Sequence, residues 1–185
     1  MNGDLRLVRQ YLAGRDGAFD QLFDRHNPSL YAFCYHLSSH PDDAEDLCQT
    51  AWVEAIRSLP TYRAKGSFRA WLHAIAVNLH RGALRRTQLD TVALDPDYIS
   101  AQPDDDPSHI LEREEEAATV RAAIQRLDPA HREALILHEL QGFKYREIAQ
   151  ILGCPIGTVK SRLHRAVAVL RAELSRTSTL EEVQP

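Results

Sequence analysis

Cysteine is scarce in this 185-residue chain: Cys34, Cys48 and Cys154 are the only three. They are too few and too scattered for a disulfide framework, which predicts a reducing compartment, the cytoplasm. Long apolar runs are missing, and the first residues, Met-Asn-Gly-Asp-Leu-Arg, lack the apolar core of a signal peptide. A soluble protein without membrane insertion is expected. No stretch alternates with period two for long enough to argue for a sheet, so the expected fold class is all-α. Catalytic signatures are missing too. There is no Gly-x-x-x-x-Gly-Lys phosphate loop and no Gly-x-Ser-x-Gly elbow, and His138-Glu139 begins a zinc-protease pattern in which Gly142 replaces the second histidine. Cys34, His36 and His40 lie close together, the two histidines at i, i+4 ligand spacing, but no fourth ligand accompanies them. A structural role is favoured over a metal site. Neither an enzyme nor a cofactor is indicated.

Acidic residues are also unevenly missing. The net charge is -4, yet residues 57–86 hold seven Lys/Arg and no acid, and residues 144–176 hold seven basic residues and two acids. Between them, residues 90–116 carry ten acids and one arginine. Two basic blocks flanking an acidic one suggest two nucleic-acid contact surfaces and a segment that avoids DNA. With 44% hydrophobic residues the chain can build a sizeable core, as one domain or two small ones. Apolar periodicity predicts helices over 3–13, 16–38 (with a bend near Pro28), 41–58, 67–87, 113–127, 129–140, 144–152 and 155–175. Three prolines and crowded acids make 89–112 an extended linker, so the expectation is two separate helical domains on a tether, each turning its cations outward.

Residues 145–165, Tyr-Arg-Glu-Ile-Ala-Gln-Ile-Leu-Gly-Cys-Pro-Ile-Gly-Thr-Val-Lys-Ser-Arg-Leu-His-Arg, carry the strongest signal. A short amphipathic helix stops at Gly153, a left-handed terminator, and Pro155 opens the next helix. At about 100° per residue, Val159, Leu163, Ala166, Val167, Leu170 and Leu174 share one face. Ser161 and Arg165 lie opposite, flanked by Lys160, His164 and Arg162. That pattern is expected of a helix-turn-helix whose second helix offers donors to guanine edges and phosphates in a major groove. The alternative is a surface helix of solvated cations or a protein-binding trihelical module.

Two further helices carry candidate surfaces. In 41–58, Pro41 and the acids behind it suit a helix start, and Ala44, Leu47, Cys48, Ala51, Trp52 and Ala55 form the buried side. Asp46, Gln49, Thr50, Val53 and Glu54 face outward; on pattern alone this is a solvated face, and Val53 hints only mildly at a partner. In 67–87, Phe68, Leu72, Ile75, Ala76, Leu79 and Ala83 mark the core side, while Trp71, Ala74, Asn78, Arg81 and Arg85 form a separate stripe. An aromatic ring, an amide and two guanidiniums meet the needs of gripping unstacked single-stranded nucleic acid. Tyr62, Arg63 and Lys65 in the preceding loop add to it. On periodicity alone, Trp71 fits equally well as a core residue at the rim.

These residues resemble the extracytoplasmic-function group of bacterial sigma factors, the minimal kind with regions 2 and 4 only. Asp42-Asp-Ala-Glu-Asp-Leu-Cys-Gln49 with Trp52 resembles region 2.2, and Ser67-Phe-Arg-Ala-Trp-Leu-His-Ala-Ile-Ala-Val-Asn78 resembles regions 2.3 and 2.4. Leu127-Asp-Pro-Ala-His-Arg-Glu133 and residues 145–165 resemble regions 4.1 and 4.2. The resemblance departs at Thr50, where an acid is usual, at Val167, where an arginine is common, and at Asp128, where proline is common.

The resemblance implies a specificity subunit in four parts: region 2 over 1–88, a linker over 89–112, region 4 over 113–176 and a tail over 177–185. Asp46, Gln49, Thr50, Val53 and Glu54 would dock on the clamp helices of core RNA polymerase. Asn78 and the 60–66 loop, with Tyr62, Arg63 and Lys65, would pocket a flipped base of the promoter -10 element. Trp71 would lie where melting starts, and Arg81 and Arg85 would hold backbone. Lys160, Ser161, Arg162, His164 and Arg165 would read the -35 element. The apolar side of 117–140 would accept the polymerase flap tip, the acidic linker would thread toward the RNA exit path, and an anti-sigma factor is an implied partner. The competing reading is a stand-alone helix-turn-helix regulator with an N-terminal sensor or dimerisation domain.

Overall fold

The computed structural model describes residues 3–38, 40–64, 66–90 and 111–181; all regular structure among them is helical, with no strand. Lys65 and the acidic stretch 91–110, most of the expected linker, lie outside the described residues. Eight helices follow one another: α1 (Gly3–Leu12), α2 (Ala18–Leu37), α3 (Pro41–Ser58), α4 (Phe68–Asp90), α5 (Leu111–Gln125), α6 (Pro129–Leu135), α7 (Tyr145–Leu152) and α8 (Ile156–Glu181). A 3-10 turn (Leu59–Thr61) follows α3, and a π turn (Ile136–Leu140) extends α6 where one uninterrupted helix was expected.

Local chemistry sets the boundaries. Pro41 at the first position and Asp42 and Asp43 in the first turn start α3, where a missing N–H costs nothing and carboxylates meet the positive helix end. Asp128, at the position where the resemblance favours proline, caps α6 by accepting the Ala130 N–H at 2.9 Å. Gly153 ends α7 with φ 63, a left-handed geometry in which a Cβ is strained. α2 runs on through Pro28 as one helix.

Helices α1–α4 wrap a first core around Leu22, Leu30, Phe33, Ala51, Phe68 and Leu72, all fully buried or nearly so. Trp52 closes one end, edge-on to Phe19 at 5.7 Å and donating its indole N–H to Asn27 Oδ1 at 3.0 Å. Helices α5–α8 enclose a second core of Leu135, Ile136, Leu137, Ile148, Val159 and Ala166. Val159, Leu163 and Ala166 are buried and Val167, Leu170 and Leu174 half-buried, as the α8 periodicity predicts.

The two domains, expected on a tether, also pack against each other. α4 lies along α7, α2 meets both the π turn and α5, and the buried residues of both halves form one continuous cluster. The reason is a second buried face on α4. Besides Phe68, Leu72 and Ala76, helix α4 also buries Ala70, His73, Val77 and His80. Against that face stands Phe143, 5.0 Å edge-on to His73 and beneath the Arg69 guanidinium at 4.2 Å. Two of those four residues are histidines, which do not read as apolar, so periodicity shows only one of the two faces.

Candidate nucleic-acid interface

On the α4 side, the loop before the helix and its first turns build an aromatic wall. Tyr62 and Trp71 stand 4.8 Å apart between centroids, and Phe68 backs both, at 5.6 Å from Tyr62 and 5.3 Å from Trp71. With Arg63, Ala64 and Gly66, the Tyr62 and Trp71 rings line a cavity of about 460 Å³. Ala64 holds a left-handed φ of 49 there, a strained conformation for a residue with a Cβ. The Tyr62 hydroxyl is buried without a protein partner, and burial, then the charge of Asp4, raise its pKa. Of the predicted residues, Tyr62, Arg63 and Trp71 come together at this cavity. Asn78 and Arg85 lie exposed farther along α4.

Arg81 does not point to solvent as the stripe predicts. Its Nη2 lies 2.6 Å from Glu133 Oε2, its Nε 3.0 Å from Glu133 Oε1, and its Nη1 donates to the Leu152 carbonyl at 3.3 Å. This is a forked, charge-assisted pair, with Glu133 only 1% exposed. The same seam holds Arg69, whose Nη2 donates to the Gln141 carbonyl at 2.6 Å and whose Nε donates to Ser29 Oγ at 3.0 Å. Gln150 and Ile151 of α7 complete the cavity lining.

The α8 side is open. Lys160, Ser161, His164 and Arg165 are exposed, and Ser161 Oγ donates to the Thr158 carbonyl at 3.0 Å. Arg162 is half-buried, with Nη1 3.9 Å from Cys154 Sγ, which sets it apart from the exposed cations. Lys160, His164 and Arg171 border a groove of about 580 Å³ with His138 and Tyr145, whose rings lie 5.0 Å apart. Sequence reasoning did not assign His138 or Tyr145 here, since no spacing rule relates the π turn to the recognition helix.

The third surface is on α3. Asp46, Gln49, Thr50 and Val53 are exposed and Glu54 half-buried, and Gln49 Nε2 donates to Glu45 Oε1 at 3.0 Å. Beside them runs an apolar groove of about 680 Å³ containing Phe23, Tyr31, Trp52 and Val53. Val53 is 48% exposed, Tyr31 41% and Phe23 36%, a cluster of solvent-facing apolar side chains. Phe23 and Tyr31 come from α2, and only the tertiary fold brings them to this face.

Cys34 is fully buried beside Cys48, whose own thiol donates to Asn27 Oδ1 at 3.4 Å, and the Cys34–Cys48 hydrogen bond and then burial raise the Cys34 pKa. Burial, then the charge of Arg121, lower the His36 pKa. Among the described residues no group of three or more His, Cys, Asp or Glu is placed to hold a metal ion, and no helix is long and apolar enough to cross a membrane.

Comparison with known proteins agrees with this geometry. Residues 22–89 match the Sigma-70 region 2 family model, and residues 117–170 match Sigma-70 region 4. The chain is 34% identical over 165 residues to the ECF RNA polymerase sigma factor SigE of Mycolicibacterium smegmatis, covering 88% of this chain and 63% of that relative's length. It is 38% identical over 150 residues to the ECF RNA polymerase sigma factor EcfG of Rhodopseudomonas palustris, covering 80% of each chain. The fold resembles the sigma factor RpoE from Bartonella quintana, solved in complex with the anti-sigma factor NepR, with TM-score 0.69, 32% identity, and coverage of 85% of this chain and 96% of that one. It also resembles CnrH, solved with the cytosolic domain of CnrY, with TM-score 0.70, 27% identity, and coverage of 94% and 97%. An exposed cationic recognition helix, an aromatic-walled cavity on a second helix and two family matches in register lead to one conclusion: the chain belongs to the extracytoplasmic-function sigma factors of RNA polymerase, non-catalytic proteins built on sigma-70 regions 2 and 4 that direct promoter-specific transcription initiation.

Proposed function

We propose that this chain, in the cytoplasm, docks on the clamp helices of core polymerase through Asp46, Gln49, Thr50, Val53 and Glu54, with the Phe23–Tyr31 groove as the apolar centre of that contact. The apolar side of 117–140 takes the flap tip. Residues 1–88 and 113–176 act as the two promoter-reading units, with 89–112 between them and 177–185 as a tail.

The observation that carries this reading is the exposed row Lys160, Ser161, His164 and Arg165 on a helix that starts just after a left-handed Gly153. A helix held this way enters a major groove with its donors on base edges and phosphates, which suits the -35 element, and half-buried Arg162 supports the row from its flank. The Tyr62–Trp71 wall suits an extruded -10 base, read by Asn78 and held through Arg63, Lys65, Arg81 and Arg85. Unstacking a base costs a few kcal/mol, offset by burial between aromatic rings. Each domain alone binds weakly, and polymerase joins the two affinities by fixing their separation. An anti-sigma factor is a further proposed partner.

Reconstitution with core RNA polymerase on templates with randomised -35 and -10 segments tests this. Promoter-selective transcripts that require the chain are the expected result. Tight binding to a palindromic duplex without polymerase, and no transcription with it, would establish the stand-alone regulator in its place.

A further inference from the structure

Helices α2 and α3 meet through a pair of free thiols. Cys34 of α2 is fully buried, Cys48 of α3 is 5% exposed, and Cys34 hydrogen-bonds to Cys48. Cys48 in turn donates its S–H to Asn27 Oδ1 at 3.4 Å, and the same oxygen accepts the Trp52 indole N–H at 3.0 Å. A chain of hydrogen bonds therefore runs from Cys34 through Cys48 to the Asn27–Trp52 pair. Cys48, Asn27 and Trp52 all line the apolar groove of about 680 Å³ beside Gln49 and Val53, and Cys34 lies behind that lining.

Packing alone explains a buried cysteine as a small apolar side chain. It requires neither a second sulfur beside the first nor a groove that opens onto one of them. The two thiols are also unequal. The bond from Cys34 lowers the Cys48 pKa, against burial and the charge of Glu45, while the same bond and then burial raise that of Cys34. An attacking sulfur thus faces the groove, with a resolving thiol held behind it, which is the arrangement of redox-sensing pairs. In a reducing compartment such a pair rests as thiols and forms a disulfide only transiently.

We propose that Cys34 and Cys48 are a modification site for hydrogen peroxide, which enters the apolar groove and converts them to a disulfide between α2 and α3 that weakens docking on core polymerase. The Cys48 thiolate attacks one peroxide oxygen and the O–O bond breaks. The other oxygen leaves as hydroxide and takes up the proton lost from Cys48, forming water. Cys34 then attacks the sulfenic sulfur of Cys48, the S–O bond breaks, and hydroxide leaves with the Cys34 proton as a second water. Two thiols lose two electrons, and one peroxide becomes two waters. Thiol–disulfide exchange with a reducing dithiol reverses the bond. Oxidation removes the S–H that Asn27 accepts and draws the Cys48 sulfur toward Cys34, so the groove floor held by Asn27 and Trp52 shifts. The effect on polymerase rests on the reading that this face docks on the clamp helices; formation of the disulfide does not.

The test treats the reduced full chain with a small excess of hydrogen peroxide, alkylates the remaining thiols and maps peptides by mass spectrometry without reduction. A Cys34–Cys48 peptide pair lacking two hydrogens is expected from monomeric protein, and dithiothreitol is expected to restore both thiols. Cys34→Ala is expected to stop the reaction at a Cys48 sulfenic acid that dimedone traps, because the resolving thiol is gone. The second measurement is affinity for core polymerase. The disulfide form is expected to bind about tenfold more weakly than the reduced chain, as when one buried interface contact is lost, and to recover with dithiothreitol. The inference is overturned if Cys48 stays reduced, if it proceeds to sulfinic acid with Cys34 untouched, or if it pairs only with Cys154. A fully formed Cys34–Cys48 disulfide with unchanged polymerase affinity overturns it as well. A reduced chain that does not bind core polymerase at all instead defeats the docking reading, and the peptide map still decides the pair.

Discussion

The two proposed nucleic-acid faces of this protein are displayed differently. On α8, Lys160, His164 and Arg165 project into solvent with nothing packed over them. On α4, Asn78 and Arg85 are open, while Arg81 is spent on Glu133 and the neighbouring face is covered by α7. A duplex-reading surface can stay exposed because a duplex needs no preparation. A surface that captures unstacked bases is aromatic and apolar, and left bare it would invite nonspecific contacts. The difference teaches that cations on two helices of one chain can be left free on one and paired within the fold on the other.

The comparison breaks most visibly at α8. Lys160→Ala with Arg165→Ala is expected to lower promoter-specific transcription by on the order of a hundredfold or more, since each specific base contact is worth about 1–3 kcal/mol. Run-off transcription with core polymerase checks this, and the free chain's single-stranded DNA binding is expected to stay unchanged.

Of the two faces, acid is expected to act on the covered one. Burial lowers the His73 pKa to about 4, with Arg69 and His26 also opposing the proton and the Arg69 carbonyl and Gln141 favouring it. The uncovered ring takes its proton near the ordinary 6.5, before the covered one does. The packed chain therefore keeps its full stability above about pH 6.5 and loses it as pH falls toward 4, by about 2 kcal/mol at pH 5 from this group alone. Urea midpoints across that range measure the slope, and His73→Gln is expected to flatten it.

Asn78→Ala sharpens the comparison from the other side. Loss of an amide that reads an extruded base is expected to cut open-complex formation about tenfold, for a contact worth 1–3 kcal/mol. Permanganate reactivity of promoter thymines reports the melting, with -35 protection retained. The smallest effect belongs to the paired arginine. In the free chain, Arg85→Ala is expected to reduce the salt dependence of strand binding by about one counterion, and Arg81→Ala to reduce it by much less. With polymerase present the two substitutions converge; equal salt slopes in the free chain would show that Arg81 is not engaged by Glu133 in solution.

Much of the fold could be read from the chain. The α3 and α8 buried faces follow their periodicity, and the Gly153–Pro155 punctuation places the helix-turn-helix. The π turn was not legible, because residues 136–140 carry the same apolar spacing as a continuing helix. Glu133 illustrates the harder case. In sequence it is an ordinary helical acid, and nothing in its neighbours indicates that an arginine 52 positions earlier will bury it. Phe23 and Tyr31 are similar, since their membership of the α3 surface depends on how two helices pack.

What the sequence determined by itself was local and periodic: eight helices, their caps, the basic and acidic blocks, and the motifs that identify regions 2 and 4. What the tertiary structure alone decided was which charged groups are free. Helical period fixes the side of a helix on which a residue lies, but its partner on another element depends on packing between segments far apart in the chain, so the occupation of Arg81 and the covering of the α4 face appear only once the two bundles are seen together.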